Sequence, residues 1–153
     1  MRKTYLFIVA LCCVFFSEAQ TYEYQVITSV ESIIPSGAGR SRLISTKEAR
    51  NYQDFTSERT DGKKTKDKRN KSDRSEIRVK NFEETKLLNF FNIAGIRFQN
   101  IAANDAVITS KINTMSSDGW ELAFVTSAVE SDAGKDDGKG IFITRYIFKK
   151  LKE

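Results

Sequence analysis

The residue types that most often carry out chemistry are scarce in this chain of 153 residues. It contains no histidine, and its two cysteines, Cys12 and Cys13, lie in an apolar run near the start. If that run is removed on export, as argued below, the remaining chain has neither an imidazole nor a thiol. Such a chain has no Ser-His-Asp or Cys-His catalysis, no Cys/His zinc site and no internal disulfide.

A carboxylate-based hydrolase would need two acids that face each other across a substrate cleft. Glu23, Glu121 and Glu130 are the acids to consider, and each is equally suited to a surface position or an ion pair. No serine–lysine pair stands in an apolar turn that would activate a nucleophile. The sequence therefore favours a protein that is not an enzyme and has no cofactor, with a hydrolase as the third hypothesis.

An acidic, glycine-rich segment runs from Glu130 to Gly140, with four carboxylates and three glycines. Calcium prefers clustered oxygen ligands, so Asp132, Asp136 and Asp137 are weak calcium candidates. Their spacing does not match an EF-hand loop, and two lysines in the segment oppose a cation. A solvated hairpin loop without metal is the favoured interpretation.

The excess positive charge lies in one segment, from Glu58 to Lys80, which carries ten Lys/Arg against five Asp/Glu. Its central run has no apolar side chain, so we expect a mobile basic insertion at about 58–80. It suits weak polyanion binding, but it lacks the aromatic side chains of specific nucleic-acid modules, so no sequence-specific nucleic acid is expected. The residues that would bind the polyanion are Lys63, Lys64, Lys66, Lys68, Arg69, Lys71 and Arg74.

The first nineteen residues are typical of a signal peptide. Arg2 and Lys3 precede a twelve-residue apolar run, and Ser17 and Ala19 fit a signal peptidase that cuts after Ala19. Twelve apolar residues are too few to span about 30 Å of hydrocarbon, although an uncleaved anchor or lipidation stays open. We expect a periplasmic or secreted protein, with residues 20–153 forming one domain and no transmembrane segment after signal removal.

Alternating apolar and polar residues predict strands at both ends of this domain. Tyr22 to Val30 alternates, Arg40 to Ser45 is suited to a short returning strand, and Ile141 to Lys149 to a closing strand. These patterns predict a sheet that is mainly antiparallel.

Two segments are predicted to be helices that end at a glycine and continue as a strand. The first runs from an Asn81–Glu84 capping pair to Gly95, and the second from Asn104 or Asp105 to Gly119. The segments align at an offset of 24 residues, so either duplication or convergent helix-stop chemistry explains them.

The junction after the second helix is interpreted as structural. Gly119 allows the positive φ of a helix end, and Trp120, Leu122 and Phe124 alternate on what is predicted to be the buried side of a strand. The alternative is an exposed Trp120 that stacks on a sugar or a base.

The strand Tyr22–Val26, the helix with Ile112–Asn113, the junction Gly119-Trp120-Glu121-Leu122 and the strand Ile143–Ile147 together resemble a small bacterial family. It is the domain-of-unknown-function family numbered four-one-seven-seven, and the chain departs from it by a long insertion. The resemblance implies a compact α+β domain and brings no established activity.

Together these patterns predict an α+β fold, with a mainly antiparallel sheet of four to five strands and two helices packed on one face. The function we expect is a non-catalytic binding or envelope-associated accessory module. The alternative is a cationic module that binds anionic envelope polymers. Exposed strand edges would suit self-association or peptide addition, with a second copy or an envelope component as the expected partner.

Overall fold

A computed structural model of the chain describes residues 20–32, 40–58, 72–92, 94–130 and 140–152. Its main feature is a five-stranded antiparallel sheet with the order β3-β2-β1-β7-β6. The strands are β1 (Tyr22–Ser32), β2 (Arg42–Ser45), β3 (Glu83–Lys86), β6 (Glu121–Glu130) and β7 (Ile141–Leu151). Phe91–Asn92 (β4) and Gly95–Ile96 (β5) form a separate two-stranded hairpin. The predicted α+β fold with a mainly antiparallel sheet is confirmed.

The centre of the sheet is the long pair of β1 and β7, which matches Tyr22 with Leu151 and Ser32 with Ile141 without interruption. β2 pairs only with the second half of β1, from Ile27 to Val30. The first half of β1 therefore lies beside β7 on one side and beside no described strand on the other.

One helix of 20 residues, α2 (Phe98–Ser117), packs across one face of the sheet. Its Ile108 and Met115 meet Ile27, Leu43 and Phe148 in the core, which also contains Leu87. The opposite face exposes Tyr24, Val26 and Phe124. The second predicted helix is thus confirmed, although it begins at Phe98 rather than near Asn104.

The helix predicted from Asn81 to Gly95 is wrong, because β3, β4 and β5 occupy that segment. The proposed capping residues have partners elsewhere: Asn81 donates to Glu48, and Glu84 pairs with Arg42. Gly95 adopts a φ of 112° in the β4–β5 hairpin rather than ending a helix. The two segments at the 24-residue offset consequently differ in secondary structure, so the structure gives no support to a duplication.

The described end of the basic insertion contains regular structure. A short helix, α1 (Arg74–Ile77), begins after Asp73, whose N–H donates to Glu76 Oε2 at 3.1 Å. Arg50 also donates to the carbonyl of Arg78 at 2.9 Å. The mobility of 58–80 stays a prediction: residues 74–77 form α1, and 59–71 lie outside the described residues.

Candidate binding cleft and sheet edges

Most of the charged residues singled out in the sequence lie outside the described ranges. These are the basic residues Lys63 to Lys71 and the calcium candidates Asp132, Asp136 and Asp137. Arg74 is described and opens α1 with its side chain exposed. Of the three candidate hydrolase acids, Glu23 lines a cleft, Glu121 pairs with Lys149 at 3.2 Å, and Glu130 ends β6. The structure does not bring these three together at one site.

The junction at Gly119 is built by a Schellman motif. The Gly119 N–H donates to the carbonyl of Ser116 and the Trp120 N–H to that of Met115, both at 3.0 Å. Gly119 has a φ of 84°, which glycine adopts without the cost of a Cβ clash. The motif places Trp120 over Met115, where it packs partly buried against the core.

The side chains after this junction do not follow the simple alternation that the sequence predicts. Leu122 pairs with Phe148 and Phe124 with Ile147, so a β-bulge leaves Ala123 without a partner in β7. Trp120 and Leu122 consequently lie on the helix side, whereas Phe124 points to the open face and is 63% exposed. The prediction that Phe124 belongs to the core is wrong. The extra residue, Ala123, shifts the alternation so that Phe124 points away from α2.

A cleft of about 720 Å³ opens beside the first half of β1. Its floor is formed by Met115 and Trp120, and its far wall by residues 46–49, where the chain leaves β2. At the start of this segment, Thr46 Oγ1 donates to the carbonyl of Asn81, just before β3, at 3.1 Å. The volume lies within the 300–1,000 Å³ typical of ligand sites. The full lining is Glu23, Tyr24, Gln25, Val26, Thr46, Lys47, Glu48, Ala49, Glu83, Lys111, Thr114, Met115, Asp118 and Trp120.

The strand β1 points main-chain groups into this cleft. Ser32 N donates to Ser41 Oγ at 2.9 Å, which shows that the N–H of Ser32 faces β2. Thr21 accepts from Lys152 N, so its carbonyl faces β7. Because these directions alternate along an uninterrupted strand, the N–H and C=O groups of Tyr24 and Val26 face the cleft, and those of Tyr22 point to the same side of β1. Among the described residues, no backbone group pairs with them there.

The cleft is locally acidic although the chain as a whole has a net charge of +5. Its lining carries four carboxylates and two lysines. Hydrogen bonds from Lys111 at 2.8 Å and from Ser45 at 2.9 Å lower the pKa of Glu83. Burial acts to raise the pKa of Glu48, but hydrogen bonds from Arg50 and Asn81 outweigh it and leave that pKa lowered.

These two acids are therefore held as anions with partners. Neither has the raised pKa that a general acid needs near neutral pH. Within the described residues, the carboxylates of Glu23 and Asp118 accept no hydrogen bond, and so they are available to a ligand. The arrangement is suited to binding a neutral or basic group rather than to transferring a proton.

A second polar cluster lies between the sheet and α2. Asn104 is 1% exposed, accepts from Leu88 N at 2.7 Å, and donates to the Leu88 carbonyl and to Glu31, both at 2.8 Å. Burial raises the pKa of Glu31, the Asn104 hydrogen bond lowers it, and the charge of Asp105 raises it further. This cluster fixes the segment after β3 against the helix.

Burial also raises the pKa of the neighbouring Tyr146 phenol. Ser29 interacts with that phenol electrostatically, but the fully buried Ser29 Oγ makes no hydrogen bond of normal distance and angle. Ser29, Glu31 and Tyr146 do not line the cleft beside β1. The cluster links β1 to α2 through the hydrogen bond from Asn104 to Glu31.

Comparisons with known proteins identify no relative. No family model, no curated protein and no solved structure matches the chain. The described ranges contain no helix with the length and hydropathy to cross a membrane. They also contain no cluster of three or more side chains able to ligate a metal.

Sequence reasoning missed the cleft, because it arises from a difference in strand length. β1 has 11 residues and β2 has four, which leaves the start of β1 without a neighbour. The returning strand predicted over Arg40 to Ser45 ends where β2 ends, but the sequence did not show which part of β1 it pairs with. The one local signal is Thr46-Lys47-Glu48, a polar run that follows the alternating residues of β2.

Proposed function

We propose that the protein is an exported, non-catalytic module that binds an extended peptide segment of an envelope partner by strand addition in the cleft. The observation that carries this proposal is the edge of β1 from Tyr22 to Val26, which no described strand covers. Strand addition uses main-chain hydrogen bonds for affinity and side-chain pockets on alternate residues for specificity. Five extended residues span about 16 Å, enough to pair with a short peptide.

The lining of the cleft supports a peptide of defined chemistry. Side chains on the helix side of an added strand would meet Met115 and Trp120, which favour apolar residues. Lys150 lies opposite Glu23 and donates to the Asp118 carbonyl, so it offsets part of the charge of these two acids. The lining still carries four carboxylates against two lysines, which favours a lysine or arginine in the ligand. We therefore expect an extended segment that combines apolar and basic residues. The predicted signal peptide supports the envelope as the place where this segment is met.

The lone tryptophan provides the measurement, because Trp120 lines the cleft. Capped heptapeptides that alternate valine with lysine, serine or glutamate are titrated into the protein while its tryptophan emission is recorded. We expect the lysine series to bind most tightly and the glutamate series most weakly, with affinity for the lysine series falling as salt is added.

Two variants at one position separate strand addition from side-chain binding. Tyr24→Pro removes an N–H that faces the cleft and leaves the pairing with β7 intact, so binding should be lost. Tyr24→Ala keeps the N–H and should retain most of the affinity. If Tyr24→Pro binds as well as the native chain, or if no peptide series changes the emission, the proposal is wrong.

A second candidate function rests on the charge of the segment from Glu58 to Lys80. Binding of anionic envelope polymers through Lys63, Lys64, Lys66, Lys68 and Arg69 would make retention on a heparin column depend on these residues. Replacing all five with glutamine should lower the salt concentration at which the protein elutes. Elution at an unchanged salt concentration would contradict this function.

A further inference from the structure

The outermost strand β6 has a long edge that no described strand covers, and this observation is independent of the cleft. The N–H of Lys152 donates to Thr21, so the main-chain N–H and C=O groups of even-numbered β7 residues point to β1. Those of odd-numbered β7 residues therefore point to β6. Phe124, Thr126 and Ala128 pair with these odd-numbered residues, so their main-chain groups point inward. The main-chain groups of Val125, Ser127 and Val129 consequently point outward, and all ten residues of β6 are exposed.

Nothing along the middle of this edge discourages another strand. Proteins normally protect an edge with charged side chains, proline or a very short strand. The eight residues from Leu122 to Val129 include no charge and no proline. Edge strands of this kind are the usual sites of intermolecular strand pairing.

The order of residues in β6 is self-complementary about Ser127. In an antiparallel pair with the axis at Ser127, Val125 of each copy lies opposite Val129 of the other. Thr126 then lies opposite Ala128, and Glu130 opposite Phe124, so no like charges meet. Cross-strand pairs of β-branched residues such as valine stabilise a sheet, whereas like charges directly opposite each other destabilise it.

We propose that β6 pairs antiparallel with β6 of a second copy of this chain, about a two-fold axis at Ser127. The two five-stranded sheets would then form one continuous sheet of ten strands. Phe124 and Val129, 63% and 56% exposed, would be partly covered at the junction. Because a two-fold contact uses the same surface on both copies, one strand supplies the whole interface.

Cross-linking at single cysteines tests the register. In a full chain with Cys12 and Cys13 replaced by alanine, Ser127→Cys should form a disulfide dimer on mild oxidation. The expected Cα separation on the axis, about 5.5 Å, lies within the range that a disulfide spans. Thr126→Cys is the matched control, because it would face Ala128 of the second copy and should cross-link poorly. Equal cross-linking at both positions would overturn the proposed axis.

Molecular mass in solution tests the association itself. Light scattering of the native full chain should show a concentration-dependent dimer between micromolar and millimolar concentrations. Val125→Lys and Val129→Lys should each raise the dissociation constant by roughly 30-fold or more, because every dimer then gains two lysines at its centre. Tyr52→Lys, at a side chain that is 73% exposed on another element, is the control and should leave the dimer unchanged.

Circular dichroism and the thermal midpoint establish that each lysine variant is folded. A native chain that stays monomeric throughout this range overturns the proposal, and so does a dimer that survives both valine substitutions. Cross-linking of Ser127→Cys to a different protein, with no disulfide dimer, would also overturn it in favour of a foreign strand. Peptide titration of Val125→Lys should still change Trp120 emission, so failure here is distinct from failure of the cleft proposal.

Discussion

The two outer strands of the sheet present opposite kinds of edge. β3 has four residues, and the main-chain groups that it turns outward belong to Glu84 and Lys86. β6 has ten residues, and its outward groups belong to an uncharged stretch centred on Ser127. One sheet therefore ends in a short charged strand on one side and in a long uncharged strand on the other. The difference indicates that charged side chains protect the edge of β3 from pairing with another strand. The edge of β6 has no such protection along its middle and is open to pairing.

The two sides of the sheet, β6 on one and the segment after β3 on the other, are also held by different buried residues, which we call their anchors. Among the described strands, β6 pairs only with β7, whose Phe148 is 1% exposed in the core. The segment that follows β3 is held by the buried amide of Asn104. Substitutions at Phe148 and at Asn104 should therefore lower the stability of the protein by different amounts and loosen different sides of the sheet.

The largest effect is expected from Phe148→Ala. Removing a fully buried aromatic side chain leaves a cavity and should lower the free energy of unfolding by about 3–5 kcal/mol. Phe124→Ala, in the exposed part of β6, should cost less than about 1 kcal/mol. Urea unfolding of both variants, measured under conditions where each is monomeric, makes the comparison. A similar loss for both would show that β6 is buried in solution even without a partner.

The next effect is expected from Asn104→Ala. It leaves the N–H and C=O of Leu88 without their buried partner, which should cost about 2–3 kcal/mol. Hydrogen exchange should accelerate around Leu88, while the amides shared by β6 and β7 keep their protection relative to global unfolding. Loss of protection that is uniform across the sheet would contradict separate anchoring of the two sides.

Exchanging the charged and uncharged side chains at the two edges should move self-association from β6 to β3. In a Val125→Lys background, Glu84→Thr with Lys86→Val removes the charges that protect β3. We expect self-association to strengthen by about tenfold, equivalent to about 1.4 kcal/mol. Light scattering against the Val125→Lys parent measures it. An unchanged mass would show that length, rather than charge, protects β3.

The smallest effect concerns Glu31, which lies in β1, the central strand of the sheet. Burial raises its pKa in the folded state, so its contribution to stability is fully present below the unfolded-state pKa and is lost as pH rises through the folded-state value. Glu31→Gln keeps an oxygen that can accept from Asn104 and should stabilise the protein at pH 7 by about 0.5 kcal/mol, allowing for solvent screening. The difference from the native chain should close below about pH 4. A variant that is less stable at pH 7 would contradict this account.

The sequence predicted most of the sheet because alternation is a local signal. The strands that contain Tyr22–Val30 and Ile141–Lys149 were correct, as was the helix end at Gly119. The segment from Asn81 to Gly95 was wrong because Leu87, Leu88 and Phe91 also have helical spacing, and tertiary partners such as Asn104 decide its structure. No local pattern marks Ala123 as an extra residue, so Phe124 was assigned to the wrong face of β6.

The candidate sites depend even more on tertiary structure. The cleft requires the relative lengths of β1 and β2, and the free edge requires the order of strands across the sheet. Neither is encoded in a motif, which is why composition and spacing led only to a general expectation of exposed edges. The acids of the cleft come from distant parts of the chain, with Glu23 and Asp118 separated by most of the domain.

The bulge at Ala123 gives a single residue control over both surfaces of β6. Deleting Ala123 would remove the bulge but keep Leu122 opposite Phe148 and Phe124 opposite Ile147, so the later side chains of β6 would stay on their present faces. If Ala123 instead paired regularly with Ile147, Phe124, Thr126 and Ala128 would turn toward α2, and the two valines would turn to the uncovered side. The outward and inward hydrogen-bonding groups would be exchanged in the same step, so the strand would meet any partner with a different set of side chains on each surface.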